Sequence, residues 1–160
     1  MHKCPGLAMG YRMTKAAMKH LAESSSEDEE LVAIVENDAC GVDALQWLTG
    51  CTFGKGNFIF RDYGKQVYTI YSRNSGKGVR THFKDGAVPE EMRSSRQAMM
   101  NWILDADEKD VVEVKEVTLE PPPKAQVYKS VKCDSCGEGV METRIQKTGG
   151  KNLCIPCAQK

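Results

Sequence analysis

The sequence predicts an α+β fold: a mostly antiparallel sheet with packed helices, followed by a small zinc-ribbon or treble-clef-like finger at the C-terminal end. Three observations carry this. Helix-period segments and short β-branched runs are mixed without strict βαβ alternation. The strand-like runs of the middle third are separated by Gly- and Asn-containing turns. Four cysteines stand in two Cys-x-x-Cys pairs within the last 28 residues.

Pro5 suits a first helical residue, and Leu7, Tyr11, Ala17, Met18 and Leu21 follow at helical spacings, so a helix is expected to about Ala22. Leu31–Val35 is a short apolar run of buried-strand type. Asn37 and Asp38 are candidate caps for a second helix that runs through Leu48 and closes at Gly50. Phe58–Phe60, Val67–Tyr71 and Val79–Phe83 read as three strands, joined by hairpin turns at Gly64-Lys65 and Asn74–Gly78. Pro89-Glu90-Glu91 opens a third helix, acidic at its positive end, that continues through Ile103. Val111–Leu119 alternates and makes the last core strand. Pro121-Pro122-Pro123 then forms a stiff spacer. The expected organisation is a core over residues 1–120, a linker over 121–125 and a finger over 126–160.

With 160 residues the chain has room for one ordinary core and a small appendage. Net charge is zero but unevenly spread: residues 1–123 carry 15 Lys/Arg against 19 Asp/Glu, and residues 124–160 carry 7 against 3. The basic end can lean on an acidic surface, whether nucleic acid or protein. No apolar run approaches the length of a membrane span. The first residues lack a secretory signal, and an odd count of seven cysteines argues against a disulfide framework, so a cytoplasmic location is expected.

Cys133-x2-Cys136, 17 residues, then Cys154-x2-Cys157 is the strongest chemical signal. Each pair closes a tight turn that aims two thiolates at one point, and two such turns complete a tetrahedron around zinc. Redox-active pairs or an iron–sulfur cluster are the alternatives. With all four ligands from protein, no position is left for substrate, so the zinc is structural. So short a segment cannot build a core by itself, and the metal supplies its folding energy.

Cys4, Cys40 and Cys51 remain. Cys4 and Cys40 are each expected at a helix N-terminus, where the dipole and free N–H groups lower a thiol pKa. His2 stands two residues before Cys4. If the two helix starts face one cleft, His2, Cys4 and Cys40, with Asp43 or Cys51, form a reactive or second metal-binding cluster. The bland alternative is three buried cysteines acting as small hydrophobes. Gly50-Cys51-Thr52-Phe53-Gly54-Lys55-Gly56 departs from a Walker loop in spacing and lacks its Ser/Thr, although it can still offer N–H groups and Lys55 to an anion.

The motifs His2–Gly10, Glu36–Gln46 and Thr49–Asn57, with the Asp62–Lys65 and Val67–Arg80 hairpins, resemble those of the FmdE family of formylmethanofuran dehydrogenase, over about residues 2–119. The resemblance implies an α+β core joined to a C-terminal zinc finger. It also maps the family's His-x-Cys-Pro-Gly and Asn-Asp-x-Cys motifs onto His2–Gly6 and Asn37–Cys40. Relatives usually carry a helix and a further His ahead of the first motif, which this sequence lacks. The function so implied is a metal-binding protein, either an accessory subunit of a molybdenum or tungsten oxidoreductase or a stand-alone redox or metal protein, with no independent activity assignable. Molybdoenzyme subunits are then partners, and a homodimer is expected because such a core leaves a sheet edge or helix face to cover. The rival function is a regulatory module that binds nucleic acid or protein through its finger; Tyr128 is the finger's one aromatic, which leaves little base stacking.

Overall fold

In the computed structural model, which describes residues 3–22, 25 and 27–160, Cys4 and Pro5 start the first helix. Pro5 opens α1 (Pro5–Leu21) and the Cys4 Sγ caps it, accepting from the Leu7 N–H at 3.3 Å. Ala22, at φ 55°, ends it with its N–H returned to the Lys19 and Met18 carbonyls. Gly10, Met13, Thr14 and Ala17 lie on the buried side of this helix.

Strand β1 (Leu31–Val35) is buried throughout and leads into α2 (Gly41–Thr49), which closes at Gly50 with φ 68°. Asn37 and Asp38 do not cap α2 as expected; Cys40 is its N-cap residue, without a side-chain cap bond. Asn37 instead folds the preceding turn, accepting from the Ala39 N–H at 3.1 Å and donating to the Lys65 carbonyl at 2.6 Å.

The sheet comprises β1, β2 (Phe58–Phe60), β3 (Val67–Ser72), β4 (Gly78–Phe83) and β5 (Val112–Val117), in the spatial order β2-β1-β3-β4-β5. It is mostly antiparallel, with β1 and β2 the single parallel pair. Gly64-Lys65 is therefore not a hairpin turn. Helix α2 carries the chain over the sheet, so β2 enters parallel to β1 at the edge, and the segment through Gly64 returns to the far side of β1. Only Asn74–Gly78 joins neighbouring strands as a hairpin should.

The expected third helix divides into α3 (Glu90–Arg93) and α4 (Arg96–Asp105). Ser95 is the cause: its Oγ accepts from the Ala98 N–H at 3.3 Å, restarting the helix rather than continuing it. A short α5 (Glu108–Val111) takes the first residue expected in the last strand. Arg12 of α1 holds the end of α4, donating to the carbonyls of Ile103, Leu104 and Ala106 at 2.7, 2.6 and 2.6 Å. These are the carbonyls that a helix leaves without partners.

Two compact units result, Met1–Ala125 and Gln126–Lys160. The proline stretch is held on the first of them. Arg73 donates to the Pro122 and Pro123 carbonyls at 2.7 and 3.0 Å, and the Ala125 N–H reaches Glu29 Oε2 at 3.2 Å. The second unit contains two hairpins, β6–β7 (Ser130–Lys132 and Gly139–Met141) and β8–β9 (Gln146–Thr148 and Lys151–Leu153), then α6 (Ile155–Ala158). A single 3-10 turn, Glu142–Arg144, links the two hairpins.

Candidate metal centres

In the second unit Cys133 and Cys136 sit in the turn between β6 and β7. Gly137 closes that turn at φ 77°, its N–H bonded to the Cys133 carbonyl at 2.9 Å. Cys154 caps α6 and Cys157 lies in its first turn, with Pro156 between them. Asp134 ties the two pieces: its N–H donates to the Asn152 carbonyl at 2.8 Å and its carboxylate accepts from the Asn152 N–H at 2.7 Å.

The four Sγ atoms lie within 4.8 Å of one another, a separation that suits four thiolates around one ion. Across residues 126–160 only Cys133 and Cys154 are buried. The centre of this unit is thus the cysteine cluster, with no apolar core beside it. Backbone N–H groups, first that of Cys136 and then those of Cys154 and Ser135, hold the Cys133 thiol down to about 6. The donor set fits zinc: four soft thiolates, tetrahedral closure and no open position.

In the first unit the N-terminal ends of α1 and α2 meet. Gly10 of α1 lies against Gly41 of α2 so closely that a Cβ at Gly10 would overlap the Gly41 carbonyl carbon and oxygen. This contact brings Cys4 and Cys40 together from 36 residues apart. Their thiols are close enough to interact, and Gly6 packs against Cys4 Sγ and Cys40 Cβ. The Cys40 pKa is raised, first by the adjacent Cys4 thiol and its charge and then by burial, with Asp43 adding to it. This reverses the direction expected from the helix N-terminus. A neighbouring thiol outweighs the helix end, because removing the Cys40 proton places one negative charge beside another sulfur. Cys4 is buried and Cys40 exposed.

Asp43, in the first turn of α2, adds its charge to the surroundings of Cys40, but its carboxylate does not gather with the two thiols as a third ligand atom. Cys51 does not join it. Its thiol is buried elsewhere, donates to the Leu31 carbonyl at 3.4 Å, and is pushed up by that burial. His2 lies outside the described residues. Among those described, only the finger cysteines bring three or more ligand atoms together.

Gly10, Gly41 and Tyr68 received no role from sequence reasoning. The Gly6-x3-Gly10 spacing on one helix face was the available signal for a close crossing. Tyr68 of β3 is fully buried, and its hydroxyl lies beneath Gly41 without a hydrogen-bond partner. Burial raises its pKa, and Asp43 and Cys40 add to that. No pattern in the chain announces such a residue.

Several donors of the Gly50–Gly56 loop are turned to the protein itself. The Cys51 N–H is taken by Thr49 Oγ1 at 3.1 Å, that of Thr52 by Asn57 Oδ1 at 3.1 Å, and that of Lys55 by the Thr52 carbonyl at 3.2 Å. The Lys55 ammonium donates to the Glu27 carbonyl at 3.3 Å. Buried Asn57 also donates to the Asp28 and Leu31 carbonyls, both at 3.1 Å, so the loop is braced on itself.

Comparison with known proteins adds the following. Residues 1–136 match the family described as FmdE, molybdenum formylmethanofuran dehydrogenase operon, and residues 127–160 match the prokaryotic dksA/traR C4-type zinc finger. A protein of Archaeoglobus fulgidus named as a probable S-adenosyl-L-methionine-binding protein is 29% identical over 185 residues, which cover 98% of this chain. The chain spans 50% of that relative's length. A crystal structure described as a tungsten formylmethanofuran dehydrogenase FmdE-like protein from Syntrophus aciditrophicus superposes with a TM-score of 0.71 at 29% identity. That similarity covers 96% of this chain and 83% of the other. No described helix is long and apolar enough to cross a membrane.

Proposed function

The chain belongs to the FmdE family, and from that membership we propose that it is an accessory metal protein of a formylmethanofuran dehydrogenase-type oxidoreductase, with a structural zinc in the finger and a second metal in the core. The observation that carries the second site is the Cys4–Cys40 thiol pair. Two cysteines far apart in sequence are held side by side by a glycine-on-glycine helix crossing, with Asp43 at their edge. Two thiolates suit a borderline-soft divalent ion such as zinc, and Asp43 and His2 are the candidates for further ligands. Such an ion would neutralise the charge that the paired thiols otherwise resist, and it would supply Lewis-acid or ligand-holding chemistry at the mouth of the core. The chain's own residues do the positioning: Cys4 caps α1, Gly6 leaves room beside the Cys4 sulfur, and Gly41 lets α1 approach α2.

Metal counting tests this. Protein purified without chelators is expected to hold two metal ions per chain, falling to one in Cys40→Ser while the finger zinc stays. A single ion in the unsubstituted protein rejects the second site.

A homodimer is part of the same proposal. Strand β2 lies at the sheet edge, and Phe60 at its end and Phe53 just before it are exposed. Light scattering at micromolar concentration is expected to give twice the chain mass, and the mass of one chain across that range overturns it.

A further inference from the structure

Three helices of the first unit, α1, α2 and α4, enclose an open cleft of about 410 Å³. That lies within the size range of small-molecule sites. Its walls are apolar: Leu7 and Tyr11 from α1, Trp47 and Leu48 from α2, Met100 and Leu104 from α4. Trp47 is 85% exposed, with its large ring at the mouth and little of the protein against it. A tryptophan left so open on a cleft wall offers a stacking face at low entropic cost.

The lining is not wholly apolar. Lys3, Cys4 and Asp43 line the same cleft, and the last two border Cys40, which does not itself line it. A ligand in the cleft can therefore lie beside Cys4, one member of the thiol pair. We infer that this cleft binds a small molecule with a flat, apolar, aromatic body and a soft-donor head, a thiol or thioether. The body lies along Trp47, Tyr11 and Leu104, and the head reaches Cys4 and Asp43. The head-group assignment rests on the core metal site proposed above, because a borderline-soft ion held by thiolates takes sulfur in preference to oxygen. The body assignment rests on the cleft alone.

The test uses the full zinc-loaded chain in a Trp102→Phe background, which leaves Trp47 as the emitting tryptophan, since the chain has two. The probes are 2-naphthalenethiol, 2-naphthol and naphthalene, titrated while Trp47 emission is followed. All three are expected to quench it, with the thiol binding at least about tenfold tighter than the other two. Trp47→Ala, followed by the probes' own fluorescence, is expected to weaken all three by at least about tenfold. Cys40→Ser is expected to abolish the preference for the thiol and leave naphthalene unchanged. Absence of quenching, or affinities unaffected by Trp47→Ala, overturns the cleft as a ligand site. If the thiol has no advantage while two metal ions are counted, the sulfur head is wrong. If it has none and one ion is counted, the core metal reading fails and the head falls with it, while binding that depends on Trp47 still upholds the aromatic body.

Discussion

Gly10→Ala is expected to cost the first unit about 3 kcal/mol or more, and to lower its melting temperature by roughly 10 °C. Helix propensity alone predicts the opposite sign, since alanine is about 1 kcal/mol better than glycine inside a helix. The two effects are separable because the obstacle is backbone: the new methyl overlaps the carbonyl carbon and oxygen of Gly41, which no rotamer change can move aside. The helices must separate, and a packed interior resists that. The separation also parts Cys4 from Cys40, so a metal held there, as proposed above, should be lost before the unit melts. Gly54→Ala is the control, because a Cβ there meets nothing and its stability should stay within about 0.5 kcal/mol. A Gly10→Ala protein that melts within about 2 °C of the parent would show that the crossing is looser than described.

The second large effect lies in the finger. Cys136→Ser or Cys154→Ser should release the zinc and unfold the chain beyond about residue 129, with the first unit still folded. Structural zinc contributes about 10–16 kcal/mol to folding such a unit. Nothing here replaces it, because Cys133 and Cys154 are the only buried residues of the segment. The hairpins alone are too short to persist in water. Zinc content, together with proteolysis or amide exchange mapped along the chain, reads both halves of the expectation. Full zinc content in either variant would falsify the four-thiolate centre, and melting of the first unit along with the finger would show that the two units fold as one.

How much of this was legible depended on the range of the interactions involved. The zinc ligands were readable because each pair closes within four residues, and two tight turns demand the same ion wherever the rest of the chain goes. Helix α1 was readable for the same reason: Pro5 and the apolar spacing act locally, and even the Cys4 cap spans only three residues. The split at Ser95 was also local but was masked by the apolar positions running through it, which a periodicity argument reads as one helix. The place of β2 was not local. A strand of three residues looks the same beside β3 as beside β1, and the α2 crossover decided the matter by setting the direction in which the chain re-enters the sheet.

The core site divides along the same line. By itself the sequence determined that Cys4 and Cys40 stand at the starts of two helices, that four later cysteines form a zinc-finger cluster, and that the fold mixes helices with a mostly antiparallel sheet. The tertiary structure decided which cysteines meet. Gly10 against Gly41 joins Cys4 to Cys40 and leaves Cys51 buried apart from them, while Tyr68 is placed beneath the crossing. It also reversed the expected direction of the Cys40 pKa, since a helix N-terminus acts on its own residues but a second thiol arrives only when two distant segments pack. Local chemistry is written in the spacing of residues, whereas contact between remote residues depends on how closely two backbones can approach, and that closeness exists only in the folded chain.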